Sequence, residues 1–98
     1  MSPEGGGASD VDPLRKRLLY LAHHRGFKEA DLLIGRFAKA HLPAMAPAEL
    51  AAFESLLQHS DHAICDLIVG QGPPPAGIDA GLIARMRAFA RSGGAVPR

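Results

Sequence analysis

The densest group of side chains able to do chemistry lies in one short run, His23-His24-Arg25-Gly26-Phe27-Lys28-Glu29-Ala30-Asp31. A guanidinium, with its planar fork of donors, stands there four residues before a carboxylate that accepts in pairs, and a second carboxylate follows two residues on. Presented together on a tight turn, such groups can dock a partner protein through directional, charge-assisted hydrogen bonds. The same residues also have a purely local use. Arg25 closing one helix, and Glu29 and Asp31 opening the next, are the charges those helix ends favour, with Gly26 as a left-handed cap between them. The residue types alone leave both readings open.

Other reactive groups assemble into nothing recognisable. His59 and His62 are three apart and His23 and His24 are adjacent, but a helix break is expected between the first two. No cysteine or carboxylate completes a known ligand spacing, so no metal site is expected. His41 falls on an apolar stripe and reads as a boundary histidine. The single Cys65 cannot form an internal disulfide and reads as packing, and nothing argues for an oxidising compartment. Asp61 and Asp66 read as a cap and a solvated position, and Ser60 has no triad around it. The stretch beginning Gly70-Gln71-Gly72-Pro73 lacks both the Lys-Ser/Thr ending of a phosphate loop and a preceding strand. No enzyme signature survives, and no catalytic residues are expected.

The elements that must carry the polar run all read as helices. Residues 1–11, with three consecutive glycines, read as a disordered tail. Asp12 before Pro13 predicts an N-cap and a first helix whose stripe is Leu14, Leu18 and Leu21. A second helix is expected from about Lys28 to His41, with Ala30, Leu33, Ile34, Phe37, Ala38 and His41 on one face. Gly35 sits in its middle at a cost of up to ~1 kcal/mol against Ala, which suggests close approach by another helix. Pro47 opens a third helix around Leu50, Phe53 and Leu57. Ser60 and Asp61 break the chain before a short fourth helix, about 62–69, with Ile64, Leu67 and Ile68 inward. Residues 70–77 are a connection, since three prolines in a row favour an extended conformation. Asp79 caps a last helix to about Arg91, with Leu82, Ile83, Met86, Phe89 and Ala90 inward, and residues 92–98 read as a frayed tail. No period-two pattern appears, so the expectation is an all-α five-helix bundle over residues 12–91.

Composition narrows the function classes. The chain has 98 residues, enough for one domain, and its 47% hydrophobic content is that of a globular protein. Eleven Lys and Arg against ten Asp and Glu give a net charge of +1, which lacks the basic excess of a nucleic-acid binder, including a helix-turn-helix protein. No apolar run reaches the ~18–20 residues of a membrane span, and the start of the chain has no basic or apolar segment of a secretory signal. A cytoplasmic protein without membrane insertion is expected.

The run Arg25-Gly26-Phe27-Lys28-Glu29, continued by Asp31-Leu32-Leu33-Ile34-Gly35-Arg36-Phe37-Ala38, resembles the Arg-Gly-x-x-Glu signature of the SdhE family, FAD assembly factors of succinate dehydrogenase. The preceding Leu19-Tyr20-Leu21-Ala22, the run Phe53-Glu54-Ser55-Leu56-Leu57 with Asp61 downstream, and Gly70 before the prolines also fit, so the likeness covers roughly residues 12–91. It departs at Leu67, where many members have Trp, and at His24, where many have a second Arg. The resemblance implies a five-helix bundle that is not itself an enzyme. It implies a partner, the flavoprotein subunit of succinate dehydrogenase and possibly of fumarate reductase, whose histidine becomes covalently joined to FAD. It also implies a docking patch of Arg25, Gly26 and Glu29, extended by Asp31, with no cofactor held stably because the FAD belongs to the client. The competing reading is a helical interaction module, antitoxin-like or regulatory, whose partner is no flavoprotein. A carrier that itself binds FAD is disfavoured by the missing phosphate loop.

Overall fold

The computed structural model describes residues 6–93, with side chains from Asp12 onward. Five helices follow one another and, among the described residues, there is no strand. Helix α1 spans Gly6–His23. Helix α2 is one rod of changing pitch: α-helical over Lys28–Ala30, π-helical over Asp31–Gly35, α-helical again over Arg36–His41, and tightened into a 3₁₀ turn at Leu42–Ala44. Helices α3 (Pro47–Leu56), α4 (Asp61–Val69) and α5 (Ala80–Arg91) complete the bundle.

The boundaries have local causes. Ala46 N–H donates to the Glu49 carboxylate (2.7 Å) and Pro47 supplies the preset φ of a first helical residue, which starts α3. Ser60 Oγ accepts from Ala63 N (3.1 Å) and Asp79 Oδ1 accepts from Leu82 N (2.9 Å), capping α4 and α5. The start expected at Pro13 is corrected. Helix α1 is already formed at Gly6 and carries Pro13 inside it, so Asp12 is no N-cap; its carboxylate meets Arg15 one turn on, at 3.3 Å. An Asp-Pro pair signals a helix start only if nothing before it is helical, and no residue from Gly6 to Val11 forbids a helix. Residues 1–5 of the expected tail, and 94–98 of the expected frayed end, lie outside the described residues.

The core is wholly apolar: among the described residues no polar or charged side chain is buried. Leu18 and Ala22 of α1 meet Ala30, Ile34, Phe37 and Ala38 of α2, closed by Leu50, Phe53 and Leu56 of α3, Ile64 and Ile68 of α4, and Leu82, Ile83 and Met86 of α5. Phe37 sits at the centre, tilted against Phe53 (6.1 Å) and edge-on to Phe89 (5.8 Å), while half-buried His41 stacks on it at 4.5 Å. Fully burying each of these aliphatic or aromatic side chains is worth about 1.5–3 kcal/mol, so the bundle is held chiefly by this cluster. Half-buried Leu67 packs against it.

The π-helical segment is the hub, touching α1, α4 and α5. Its Gly35 explains why a poor helix former stands there. A Cβ at that position would lie 2.6 Å from His23 Nδ1 and 3.1 Å from the Ala22 carbonyl oxygen, so α1 packs directly on the α2 backbone. Gly35→Leu should therefore destabilise the protein by about 1–3 kcal/mol in urea unfolding despite its better helix propensity. Gly72→Ala, where a Cβ would meet nothing within 4 Å, should change stability by only a few tenths.

Candidate functional site: the latched turn between α1 and α2

The polar run forms the turn that joins α1 to α2. Its geometry is set by a residue 36 positions away. Arg25 Nε donates to Asp61 Oδ1 at 2.5 Å, and the other carboxylate oxygen, Oδ2, accepts from the Gly26 backbone N–H. The guanidinium continues inward, donating to the carbonyls of Leu21 (3.3 Å), His59 (3.2 Å) and Leu57 (3.4 Å). The Arg25 side chain is only 10% exposed and that of Asp61 17%. A second carboxylate secures the backbone: Asp31 Oδ1 accepts from Arg25 N at 2.8 Å. The α1–α2 turn is thereby latched to the α3–α4 turn.

Burial alone would raise the Asp61 pKa, but the Gly26 amide and the Arg25 guanidinium outweigh it and hold the carboxyl below its ordinary value. Cys65, buried in α4, goes the other way. Burial first, and then the nearby charges of Glu29, Asp61 and Asp66, push its thiol up, so it packs as a protonated side chain rather than standing ready as a nucleophile.

The four expected site residues are thus sorted by the structure. Arg25, Gly26 and Asp31 are brought together, with Asp61 as the missing centre. Glu29 is exposed in the first turn of α2, and among the described residues its carboxylate makes no hydrogen bond or ion pair. The fork of Arg25 is therefore not displayed beside Glu29 but spent inside the molecule. The expected left-handed conformation at Gly26 is corrected as well: positive φ among the described residues occurs only at Gly77 and Gly93. Gly26 leaves room for the latch: a Cβ there would lie 2.9 Å from Asp61 Oδ2, so the carboxylate would have to shift. Asp61 was the residue sequence reasoning missed. The signal was the Ser60-Asp61 pair, in which both residues can cap but only Ser60 does, leaving the aspartate for another task.

Around the latch the surface is a shallow depression whose rim carries Phe27, stacked on His62 at 4.7 Å, and His59. Among the described residues no three His, Cys, Asp or Glu side chains converge as a metal site would require. No helix among them is long and apolar enough to cross a membrane.

The chain is thus a small all-helical bundle with an apolar core and a solvent-facing carboxylate beside a rigid turn. Its residues 16–90 match the family model described as "Flavinator of succinate dehydrogenase". The chain is 35% identical over 74 residues to the FAD assembly factor SdhE of Acetobacter pasteurianus, covering 76% of this chain and 68% of that protein. It is 44% identical over 50 residues to the mitochondrial succinate dehydrogenase assembly factor 2 of Komagataella phaffii, and 36% identical over 67 residues to that of Dictyostelium discoideum. Those matches span 51% and 68% of this chain but only 26% and 48% of the mitochondrial proteins. The chain belongs to the family of succinate dehydrogenase flavinators, as its sequence resemblance implied.

Cutting the latch should be costly. Arg25→Ala and Asp61→Ala are each expected to lower the unfolding free energy by about 2–4 kcal/mol, because either leaves a largely buried charge without its partner. The double variant should fall well short of additivity, with a coupling of about 1–3 kcal/mol. Additive losses would mean that no latch operates.

The pH dependence has a definite sign. A carboxyl with a lowered folded pKa contributes stability in full above the unfolded value of about 3.9, and loses it as pH falls through the folded value. The stability difference between the wild type and Asp61→Asn should therefore hold from neutrality to about pH 5 and shrink below about pH 4, as read by urea titrations at each pH.

Proposed function

We propose that this protein binds the flavoprotein subunit of succinate dehydrogenase and promotes covalent attachment of FAD to a histidine of that client, without catalysing the bond itself. The fumarate reductase flavoprotein, built around the same kind of reaction, is a second proposed client. The cofactor and the acceptor imidazole both belong to the client. The observation that carries the reading is Glu29, an exposed carboxylate with no ion-pair partner among the described residues, next to a turn that Arg25, Asp61 and Asp31 keep rigid.

Joining a client imidazole to the flavin 8-methyl carbon would exchange a C–H for a C–N bond, releasing protons and leaving the electron pair on the client's own flavin ring. The step would need aligned reactants and stabilised negative charge there. A docking module supplies neither group. It can bind the client conformer in which they are aligned more tightly than other conformers and so raise its population. In this division of labour Glu29 contacts the client, together with the exposed backbone of Gly26. Arg25 and Asp31 are positioning residues that act through the turn. Rigidity is what makes the contact useful, since a surface already in its bound shape loses little entropy on docking.

Co-expression with the host's succinate dehydrogenase flavoprotein, followed by in-gel flavin fluorescence after denaturation, tests this. Glu29→Lys should reduce covalent flavin several-fold to about tenfold, the cost of one central interface contact, with helical circular dichroism and melting unchanged. Arg25→Ala should lose covalent flavin and stability together. Normal flavinylation by Glu29→Lys would remove the patch assignment, and no gain from the wild-type chain over its absence would remove the function.

A further inference from the structure

A second surface lies along α1, away from the latch. Between α1 and the C-terminal end of α2 runs an apolar trough of about 270 Å³, floored by Ala38 and Leu42 and walled by Leu19 and Pro43. Exposed Lys16 and Lys39 stand on its rim, and neither enters an ion pair among the described residues. Among the described residues the nearby charges do not neutralise them. Asp12 is paired with Arg15, and the Arg15 guanidinium is tied to the Leu42 and Met45 carbonyls at 3.0 and 2.8 Å, where it pins the end of α2 and shapes the trough. The result is a small hydrophobic slot under a positive rim.

Size and charge together specify what fits. The volume lies below the roughly 300–1,000 Å³ of sites that enclose a cofactor or metabolite, but it admits one large apolar side chain. The paired ammonium groups select carboxylates beside that anchor. Continuity with the turn selects the source. Lys16 and Tyr20, one turn apart, share one stripe of α1, and His24, just past the end of that helix and stacked on Tyr20, carries the stripe from trough to turn. Tyr20 is 60% exposed, one of only two large hydrophobics so placed among the described residues. It is held by stacking on His24 at 3.9 Å, whose Nδ1–H donates to the Tyr20 carbonyl (2.8 Å). A preset tyrosine between two contact points is the kind of residue that anchors interfaces.

We propose that the trough is a second docking point for the same flavoprotein client, receiving an apolar side chain flanked by Asp or Glu, with Tyr20 bridging it to the Glu29 turn. This rests on the function proposed above, and the two can fail separately. The test measures binding of the full chain to the isolated flavoprotein subunit by titration calorimetry, at low and moderate salt. The variants are Lys16→Glu with Lys39→Glu, the milder Lys16→Gln with Lys39→Gln, and Glu29→Lys. Both lysines are exposed, so the lysine variants should keep wild-type melting.

The double reversal should weaken binding about tenfold or more and flatten its salt dependence, with the neutral pair in between. If Glu29→Lys weakens the complex while both lysine pairs bind as wild type, the trough assignment falls and the function stands. If the wild-type chain forms no complex, both fall. Flotation with phosphatidylglycerol vesicles that depends on the two lysines, with flavoprotein binding unaffected, would assign the rim to a lipid surface and overturn the proposal.

Discussion

The contact between Arg25 and Asp61 does something the rest of the bundle cannot. A core made only of Leu, Ile, Ala, Met, Phe and one Cys favours compaction but sets the angle and register of short helices only loosely, because apolar contacts have little direction. The guanidinium has direction. It spans from the end of α1 to the start of α4, collects three backbone carbonyls on the way, and delivers the Asp61 carboxylate to the Gly26 amide. Its position at the rim lets the pair keep part of its hydration while remaining strong enough to depress the Asp61 pKa. Two interhelical turns, which would be among the loosest parts of a small helical protein, are made into one unit.

That arrangement changes how the Arg-Gly-x-x-Glu signature is to be read. Its residues form two groups with different physics. Arg25 faces inward as the donor and Gly26, itself exposed, is the gap that admits Asp61, whereas Glu29 faces water. A pattern retained as one string can therefore encode a scaffold and a contact at once. Loss of function after changing Arg25 cannot by itself distinguish a broken contact from a broken scaffold; the same observation at Glu29 can.

Much of the bundle was legible in the sequence, because helix ends and stripes are written in local residue types. Pro47 and Asp79 start helices where expected, the fourth helix begins at the expected break but is capped by Ser60 rather than Asp61, the stripes of the helices pack on the core, and mid-helix Gly35 marks a close crossing. What was not legible is non-local. The direction of Arg25 depends on Asp61, 36 residues on, and no periodicity reports a pairing across that distance. The cause of Gly26 was misread for the same reason: turn glycines so often serve positive φ that a steric requirement from another helix leaves no separate trace. The π-helical segment Asp31–Gly35 packs against three neighbours, while its residues look like those of any α-helix.

The exposed stack of Tyr20 on His24 has a practical consequence. The chain has no tryptophan and only this one tyrosine, so nearly all of its near-ultraviolet absorbance and intrinsic emission originates at one surface point on α1. That chromophore reports on the Tyr20–His24 stack rather than on the core, whose unfolding is followed more directly through the backbone. Conversely, a tryptophan or flavin brought up by another molecule can be excited with almost no background from this one, and any change at the tyrosine's own wavelengths reports on the solvent-facing side of α1 alone.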